Sequence, residues 1–275
     1  LWTEDRPPVP ATPAWMLTKD QAGLSVREKL AVVREKLAAQ KAGAMLVTRL
    51  DSVAWLLNLR ASDIAYNPFA LAYCLVEENT ARLFINAARV PEDVQAALKA
   101  QGVELCGYEQ ARSALAAMEG PVTVLYEPAG TSWAMLRALE ENPAVTLQEG
   151  EEPVQALKGV KNETEIARMK QAHRKDGAAM VHFEIELRRR LAAGESWTEM
   201  EASDYLLGLR RAQEENLGAS FETIAAYGPN AAMMHYAPTP QVCAAIEPHG
   251  FLLVDSGGQY RDGTTDITRT YALGA

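Results

Sequence analysis

Helical and strand patterns alternate along the chain as far as about Leu147, and this alternation restricts the first part of the protein to an α/β fold. Ser25 and Glu28 form a capping box that predicts the start of the first helix. The segment 50–59 is also interpreted as a short helix. Apolar and β-branched runs predict strands at 44–48, 69–76, 80–86 and 122–126, and two more helices are predicted to begin at Pro91 and Ser132. The sequence therefore predicts an α/β domain with a mixed sheet.

The pattern changes after an acidic connection at 148–153. A long helix is predicted from a cap at Asn162 to about Leu191, and a second helix from a cap at Thr198 to near Gly218. The residues of the long helix that are expected to face one side are Ile166, Met169, His173 and Met180. Strand and loop patterns then continue to the end. Helices followed by antiparallel strands predict an α+β domain, of which only the opening half is present.

Composition places the chain among folded globular proteins and narrows its partners. Apolar residues make up 48% and charged residues 23%, which is ordinary for such proteins. The net charge of −9, without a basic stripe, argues against nucleic acid or an anionic membrane as the main partner. No apolar run approaches the roughly eighteen residues of a membrane span. The three cysteines, Cys74, Cys106 and Cys243, fit neither a disulfide framework nor a zinc knuckle, which favours a reducing cytoplasm.

Two aspartates near the end of the chain, Asp255 and Asp266, lie on what the pattern predicts to be adjoining strands. A hairpin centred on residues 260–261 places Asp255 opposite Asp266, with Cβ atoms roughly 5 Å apart. A tight turn at 262–263 would instead pair Asp255 with Thr270. Two carboxylates so close repel each other unless a cation lies between them. A site for two divalent ions is therefore one interpretation, and the alternative is that both aspartates only flank turns.

The segments around these aspartates resemble those of a known family. The resemblance is to metallopeptidases with the pita-bread catalytic fold, specifically the Xaa-Pro aminopeptidases (aminopeptidase P) of the creatinase/aminopeptidase P/prolidase family. It rests on SFETIAAYGPNAAMMHYAP at 220–238 and LLVDSGGQYRDGTTDITRT at 252–270. The larger, three-domain members are further resembled by WTEDRPPVP at 2–10, AWLLNLRASDIAYNP at 54–68 and VKNETEIARMKQAH at 160–173. The resemblance covers nearly the whole chain.

This resemblance implies a domain organisation. An α/β creatinase-N-like domain with a mixed sheet would be followed by an incomplete α+β pita-bread catalytic domain. Residues 1–13 are then an interdomain connector, residues 14–153 the middle domain, and residues 154–275 the first half of the peptidase domain. Because later strands complete the sheet in the family, segment 264–271 is expected to form an exposed sheet edge.

The resemblance also implies the site residues. Asp255 would chelate one metal ion and Asp266 would bridge two, in a site that usually holds manganese, with zinc or cobalt as alternatives. His235 would match the histidine that lies beside the metals and helps bind the substrate or stabilise the transition state. One more histidine and two glutamates would be expected beyond Ala275. The 275-residue chain alone is therefore expected to be inactive as a peptidase.

The implied activity is hydrolysis of the bond between an N-terminal residue and a following proline. Peptides with proline at the second position would be the partners, and a homodimer or higher homo-oligomer the assembly, through the middle domain or through surfaces absent from this chain. Two alternatives stay open: a prolidase-type Xaa-Pro dipeptidase and a non-catalytic binding module with the same fold. The connector and the large middle domain favour the three-domain aminopeptidase.

The remaining residues with reactive or aromatic side chains are predicted to have structural roles and no catalytic role. Cys243 lies near His235 in the sequence, but no third group orients them, so a cysteine nucleophile is the weaker hypothesis. The residues interpreted as structural are His173 and His182 on a helix, His249 at the surface, Trp55 and Trp133 in the core, and Arg60 with Asp63 as a local ion pair.

Overall fold

The computed structural model describes residues 4–274 of the chain. Their contacts form two compact units. The first unit comprises the residues up to Ile64 and Pro68–Thr164, and the second comprises Ala65–Asn67 and the residues from Glu165 onward. Residues 1–3 of the predicted connector lie outside the described residues, and the predicted limits of connector and domains stay predictions. None of the helices formed by residues 4–274 is long and apolar enough to cross a membrane.

The first unit is built on a six-stranded mixed sheet. Its elements are β1 (Trp15–Met16), α1 (Lys19–Ala22), α2 (Val26–Ala39), β2 (Ala44–Val47), α3 (Leu50–Leu56), β3 (Leu59–Arg60), β4 (Tyr73–Glu77), β5 (Ala81–Ile85), α4 (Glu92–Ala100), β6 (Val103–Gly107), α5 (Ala111–Ala116), β7 (Val122–Tyr126), α6 (Trp133–Glu140), β8 (Val145–Glu149) and α7 (Pro153–Gly159). The sheet has the order β6-β5-β4-β2-β7-β8. Strand β4 runs antiparallel to both neighbours, whereas the other pairs are parallel. The predicted α/β fold with a mixed sheet is confirmed.

Hydrophobic clusters cover both faces of this sheet. Strand β2 contributes to each of them, because Ala44 and Leu46 lie in one cluster and Met45 and Val47 in the other. Helix α2 packs with the second cluster, and α5 and α6 pack with the first. A strand that is buried on both faces has a continuous apolar sequence. This is why the sequence predicts β2 within one residue of its observed bounds.

Several local predictions for the first unit differ from the structure. The predicted strand 69–76 begins only at Tyr73, and Pro91 caps α4 instead of forming its first residue. Strands β6 and β8 and helices α5 and α7 have no counterpart in the sequence prediction. Strand β6 is an edge strand with four of its five residues partly or fully exposed, so it lacks the apolar run on which a prediction depends.

Two predicted structural residues in the first unit also require correction. Trp133, expected in the core, is 69% exposed at the start of α6, whereas Trp55 is partly buried against the core as expected. The ion pair of Asp63 is formed with Arg89, and both side chains are buried. A pairing of Asp63 with Arg60 was predicted from proximity in sequence, but Arg89 is supplied by a distant segment of the chain.

The second unit combines two helices with two small antiparallel sheets. Its elements are α8 (Glu163–Ala192), which begins at the end of the first unit, α9 (Glu199–Arg211), β9 (Asn216–Ala219), β10 (Ile224–Tyr227), β11 (Gly250–Ser256), β12 (Gly258–Tyr260), β13 (Gly263–Thr264) and β14 (Ile267–Leu273). The sheets have the orders β10-β11-β14 and β13-β12-β9. Helix α9 ends before the predicted limit near Gly218, because the segment after Arg211 forms β9. Among the described strands β14 is a sheet edge, as expected.

Helix α8 has the predicted length, and its buried face agrees with the prediction only in part. Met180 is buried as expected and Met169 is half-buried, whereas Ile166 and His173 are exposed. The residues that are buried are Ala172, Asp176, Ala179, Met180, Phe183 and Leu187. The buried face includes a charged residue, Asp176, because Arg210 of α9 neutralises it inside the unit.

Glu152 gives the first unit an expected dependence on pH. This residue caps α7 and is only 4% exposed, and its Oε1 atom has no hydrogen-bond partner. Burial, together with the nearby carboxylates of Glu127 and Asp51, raises the pKa of Glu152 to about 7 against the opposing effects of Ser52 and Arg49. The folded state therefore binds a proton that the unfolded chain releases near pH 4.5.

We expect the free energy of unfolding to fall as the pH rises from about 4.5 to about 7, by about 3 kcal/mol. The stabilisation is present below the unfolded pKa and is lost as the pH passes the folded pKa. Urea unfolding of wild type, Glu152→Gln and the exposed neighbour variant Glu151→Gln at pH 5 and pH 8 measures it. The pH dependence should shrink only in Glu152→Gln, and an equal pH dependence in all three proteins would contradict the prediction.

Candidate active site

Asp255 lies near the end of β11 and points away from the core of the second unit. Leu252, Val254 and Ser256 alternate with it and are buried, as expected for a strand with one covered face. Asp255 itself is half-buried. It lies opposite Thr268 of β14, whose Oγ1 atom donates a hydrogen bond of 2.9 Å to Asp255 Oδ1. The neighbouring strand therefore fixes the orientation of this carboxylate.

Asp266 is exposed and immediately precedes β14. It comes two positions before Thr268, a spacing at which side chains share one face of a strand. Diagonal neighbours of this kind have Cβ atoms about 7–8 Å apart or somewhat less, still within reach of a common ligand. Asp255 thus lies on β11 and Asp266 directly before the adjoining strand β14, close to the predicted arrangement, although the two residues do not face each other directly.

The register of the hairpin differs from both predicted registers by two residues. Tyr260 pairs with Gly263, so the turn contains Arg261 and Asp262. The side chain of Asp262 is nearly buried, and Lys175 Nζ of α8 donates to it at 2.6 Å. Because this ion pair attaches the turn to a helix, it holds the turn at a position that turn propensity alone did not predict.

Gly257 permits the close contact that joins the two sheets of the second unit. A Cβ atom at this position would lie 2.0 Å from the carbonyl oxygen of Thr265 and 2.2 Å from Ser220 Oγ. Ser220 N donates to Gly257 O at 3.1 Å, and Ser220 Oγ donates to Thr265 O at 2.8 Å. These bonds constrain the backbone next to Asp255 and Asp266, so the two carboxylates are attached to a fixed part of the chain.

The donor set fits part of a metal site. Carboxylate oxygens suit hard or borderline divalent cations such as manganese. Within residues 4–274, however, no three histidine, cysteine, aspartate or glutamate side chains lie close enough together to hold an ion. Asp255 and Asp266 can therefore supply two ligands, and the remaining ligands of a complete site would have to come from other residues.

His235 lies in the His235 loop, defined here as residues 228–249 between β10 and β11. The loop leaves β10 after Tyr227, which pairs with Leu252, three residues before Asp255 along β11. His235 is exposed and has a left-handed backbone, with φ of 56°. The structure therefore places Asp255 on β11 and Asp266 directly before the neighbouring β14, and it places His235 on a separate loop that begins beside β11.

Glu199 is a buried residue of this region that the sequence analysis did not identify. It is the first residue of α9 and is fully buried. The acid-rich first turn of a capped helix was interpreted only as a helix start. A signal was nevertheless present, because Glu199 shares the buried face of α9 with Ala202, Leu206 and Arg210.

The structure also locates the other histidines and Cys243, and two of these residues, Cys243 and His249, belong to the His235 loop. His182 and His249 are exposed, and His249 has a ring contact with Tyr227, with centroids 6.4 Å apart. Cys243 is half-buried, and its sulfur accepts a hydrogen bond from Met200 N at 3.4 Å. A cysteine nucleophile therefore stays the weaker hypothesis.

Comparison with protein families assigns both units. Residues 5–165 match the Creatinase/Prolidase N-terminal domain, and residues 167–275 match Metallopeptidase family M24. These matches define a class of metallopeptidases in which the two domains occur together. The chain belongs to the creatinase/prolidase family. The predicted creatinase-N-like domain and pita-bread catalytic fold are thereby confirmed.

Curated relatives include a probable Xaa-Pro aminopeptidase P of Sordaria macrospora and Xaa-Pro aminopeptidase 2 of Mus musculus. The first is 36% identical over 284 residues, covering 100% of this chain and 46% of the relative. The second is 37% identical over 281 residues, covering 99% of this chain and 41% of the relative. The chain thus spans less than half the length of these relatives.

Solved structures agree with the family assignment. The X-prolyl aminopeptidase of Caenorhabditis elegans, described as a cytosolic enzyme with a di-nuclear active site, matches with a TM-score of 0.90 and 34% identity over 98% of this chain and 44% of that one. The prolidase of Pyrococcus horikoshii matches with a TM-score of 0.67 and 20% identity over 90% of this chain and 65% of that one, which shows a shared fold.

Proposed function

We propose that this chain is part of an Xaa-Pro aminopeptidase, which hydrolyses the bond between an N-terminal residue and a following proline at a site with two divalent metal ions. The observation that carries the proposal is the placement of Asp255 on β11 and of Asp266 directly before the adjoining strand β14, in a unit that matches Metallopeptidase family M24. Support comes from the 34% identity to a solved aminopeptidase that is described as having a di-nuclear active site. Because the chain spans less than half of its relatives, the proposal concerns the complete protein.

The residues of this chain would have separate roles. Asp255, oriented by Thr268, would chelate one ion, and Asp266 would bridge both. When bound, the ions would polarise the scissile carbonyl group and make a water molecule more acidic. His235 would donate a hydrogen bond to the substrate and stabilise charge that develops on it. Its exposed position allows such a contact.

Manganese is the proposed metal, with zinc or cobalt as alternatives, because the two ligands of this chain are carboxylates. We also propose a cytoplasmic location, which is supported by the description of the C. elegans neighbour as cytosolic. A homo-oligomer is proposed as the assembly. Metal analysis of the complete protein tests the identity of the metal, and sedimentation tests the homo-oligomer.

Substrate length separates the aminopeptidase from a prolidase-type dipeptidase. We expect the complete protein to hydrolyse Xaa-Pro peptides of three or more residues at least about 10-fold more efficiently than the matching dipeptides, as kcat/KM measured with manganese. Peptides with alanine in place of proline serve as the control. Because the proline nitrogen carries no hydrogen, a site shaped for it should discriminate against the alanine peptides. Cleavage of dipeptides alone would favour the prolidase alternative.

A further inference from the structure

The carboxylate of Glu199 accepts hydrogen bonds from three residues of the His235 loop and from the strand before it. Its Oε1 atom accepts from Tyr227 N at 2.6 Å and from Asn230 Nδ2 at 3.0 Å. Its Oε2 atom accepts from Tyr236 Oη at 2.6 Å and from Ala244 N at 2.8 Å. A single carboxylate therefore forms hydrogen bonds with the beginning, the middle and the end of the segment that carries His235.

Glu199 is fully buried, and no ion pair among residues 4–274 includes it. Burying a carboxylate without a counter-charge is costly unless hydrogen bonds satisfy its oxygens. Here the N-terminus of α9 and the loop's own donors provide that compensation. The loop donors thus offset the cost of burying the Glu199 charge, and the same hydrogen bonds hold the loop in its conformation.

The end of the loop is also attached to the chain around the start of α9. Glu199 N donates to Ala244 O at 3.1 Å, and Ile246 N donates to Trp197 O at 2.8 Å. Tyr236, the residue after His235, is buried, whereas Met234, the residue before it, is 91% exposed. Burial, and then the hydrogen bond to Glu199, raise the pKa of Tyr236, so its hydroxyl stays a donor at neutral pH.

We infer that Glu199 is a positioning residue, which holds the His235 loop so that His235 is presented at one fixed place and orientation. The left-handed backbone of His235 is unfavourable for a residue with a side chain, and it persists only where the surroundings impose it. The anchored Tyr236 next to it supplies that constraint. The inference rests on the proposed role of His235 in the reaction.

Glu199→Gln tests the anchor in the 275-residue chain itself. The amide nitrogen of glutamine would face donors where a carboxylate oxygen now accepts, so about half of the contacts would be lost. Hydrogen–deuterium exchange of segment 228–245 should become at least about 10-fold faster. Glu201→Gln, the same substitution two positions away in the same helical turn, is the matched control, since glutamine preserves its capping bonds to Thr198.

Tyr236→Phe is a second variant for the case that Glu199→Gln does not fold. It removes one donor and leaves the carboxylate its other partners, so we expect faster exchange in the same segment by a smaller factor. Equal exchange in wild type, Tyr236→Phe and the control would overturn the anchor. Exchange that increases throughout the second unit would also overturn it, because the effect would then be general destabilisation.

The complete protein tests whether the anchor acts through His235. Glu199→Gln should lower kcat by about 10- to 100-fold with a smaller change in KM, because a displacement of about 1 Å is enough for such a loss. In a His235→Ala background the same substitution should add less than about 3-fold. A full additional loss there would overturn the inference. Full activity of His235→Ala would instead contradict the proposed role of His235, while hydrogen–deuterium exchange would still decide whether Glu199 holds the loop.

Discussion

Asp266→Asn in the complete protein is expected to lower kcat/KM for an Xaa-Pro peptide by about 1,000-fold or more, which corresponds to about 4 kcal/mol of transition-state stabilisation. Asparagine has nearly the shape of aspartate, but it carries no charge and has one oxygen fewer with which to bridge two cations. Asp255→Asn is expected to act in the same direction. Both residues stand on the rigid backbone around Gly257, so the substitutions should leave the fold intact.

Metal content and activity must be measured together to interpret these variants. We expect wild type to bind two manganese ions per chain and Asp266→Asn to bind fewer, with activity that excess manganese restores only in part. Asp93→Asn, an exposed residue of α4 in the first unit, is the matched control and should retain both properties. Full metal content and full activity in Asp266→Asn would contradict the proposed bridging role. Absence of bound metal from the unsubstituted protein, even with added manganese, would favour the non-catalytic alternative.

The sequence predicts those parts of the fold that depend on local interactions. The capping boxes at Ser25 and Thr198 identify the starts of α2 and α9, because their contacts lie within one helical turn. Strand β2 is predicted for a similar reason, since its apolar run is continuous, and β7 is predicted from its β-branched and apolar residues. Edge strands such as β6 were missed because half-exposed residues give no comparable pattern.

The sequence predicts the residues of the candidate site but only part of its geometry. The resemblance selected Asp255, Asp266 and His235, but their roles as ligands and substrate contact stay predictions. The register of the hairpin depends on the ion pair between Asp262 and Lys175, which are 87 positions apart in the sequence. The contacts of Glu199 likewise join segments that only the folded chain brings together. Such distant contacts leave no periodic pattern in the sequence, so they cannot be predicted from a single sequence.

Arg210→Met is expected to lower the free energy of unfolding of the second unit by about 3–5 kcal/mol. Arg210 Nε and Nη2 donate to the two oxygens of Asp176 at 2.6 and 3.1 Å, and both side chains are buried. Methionine fills a similar volume but leaves the carboxylate of Asp176 buried without its cation. Arg188→Met on the exposed pair with Glu184 is the control, and it should cost less than about 1 kcal/mol.

Replacing Asp176, Arg210 and Tyr260 together distinguishes two effects. One is the cost of a charge that is buried without its partner, and the other is the stability that the ion pair itself provides. Tyr260 Oη also donates to Asp176 at 2.9 Å, so the triple variant Asp176→Leu, Arg210→Met, Tyr260→Phe leaves no member without its partner. We expect this variant to be more stable than Arg210→Met alone in urea unfolding, because apolar side chains of similar volume avoid the desolvation of two charges. A triple variant that is less stable than Arg210→Met would show that the cluster itself stabilises the unit. In that case the contacts of α8, α9 and β12 would depend on the ion pair, and the position of the strands that carry the two aspartates would depend on it as well.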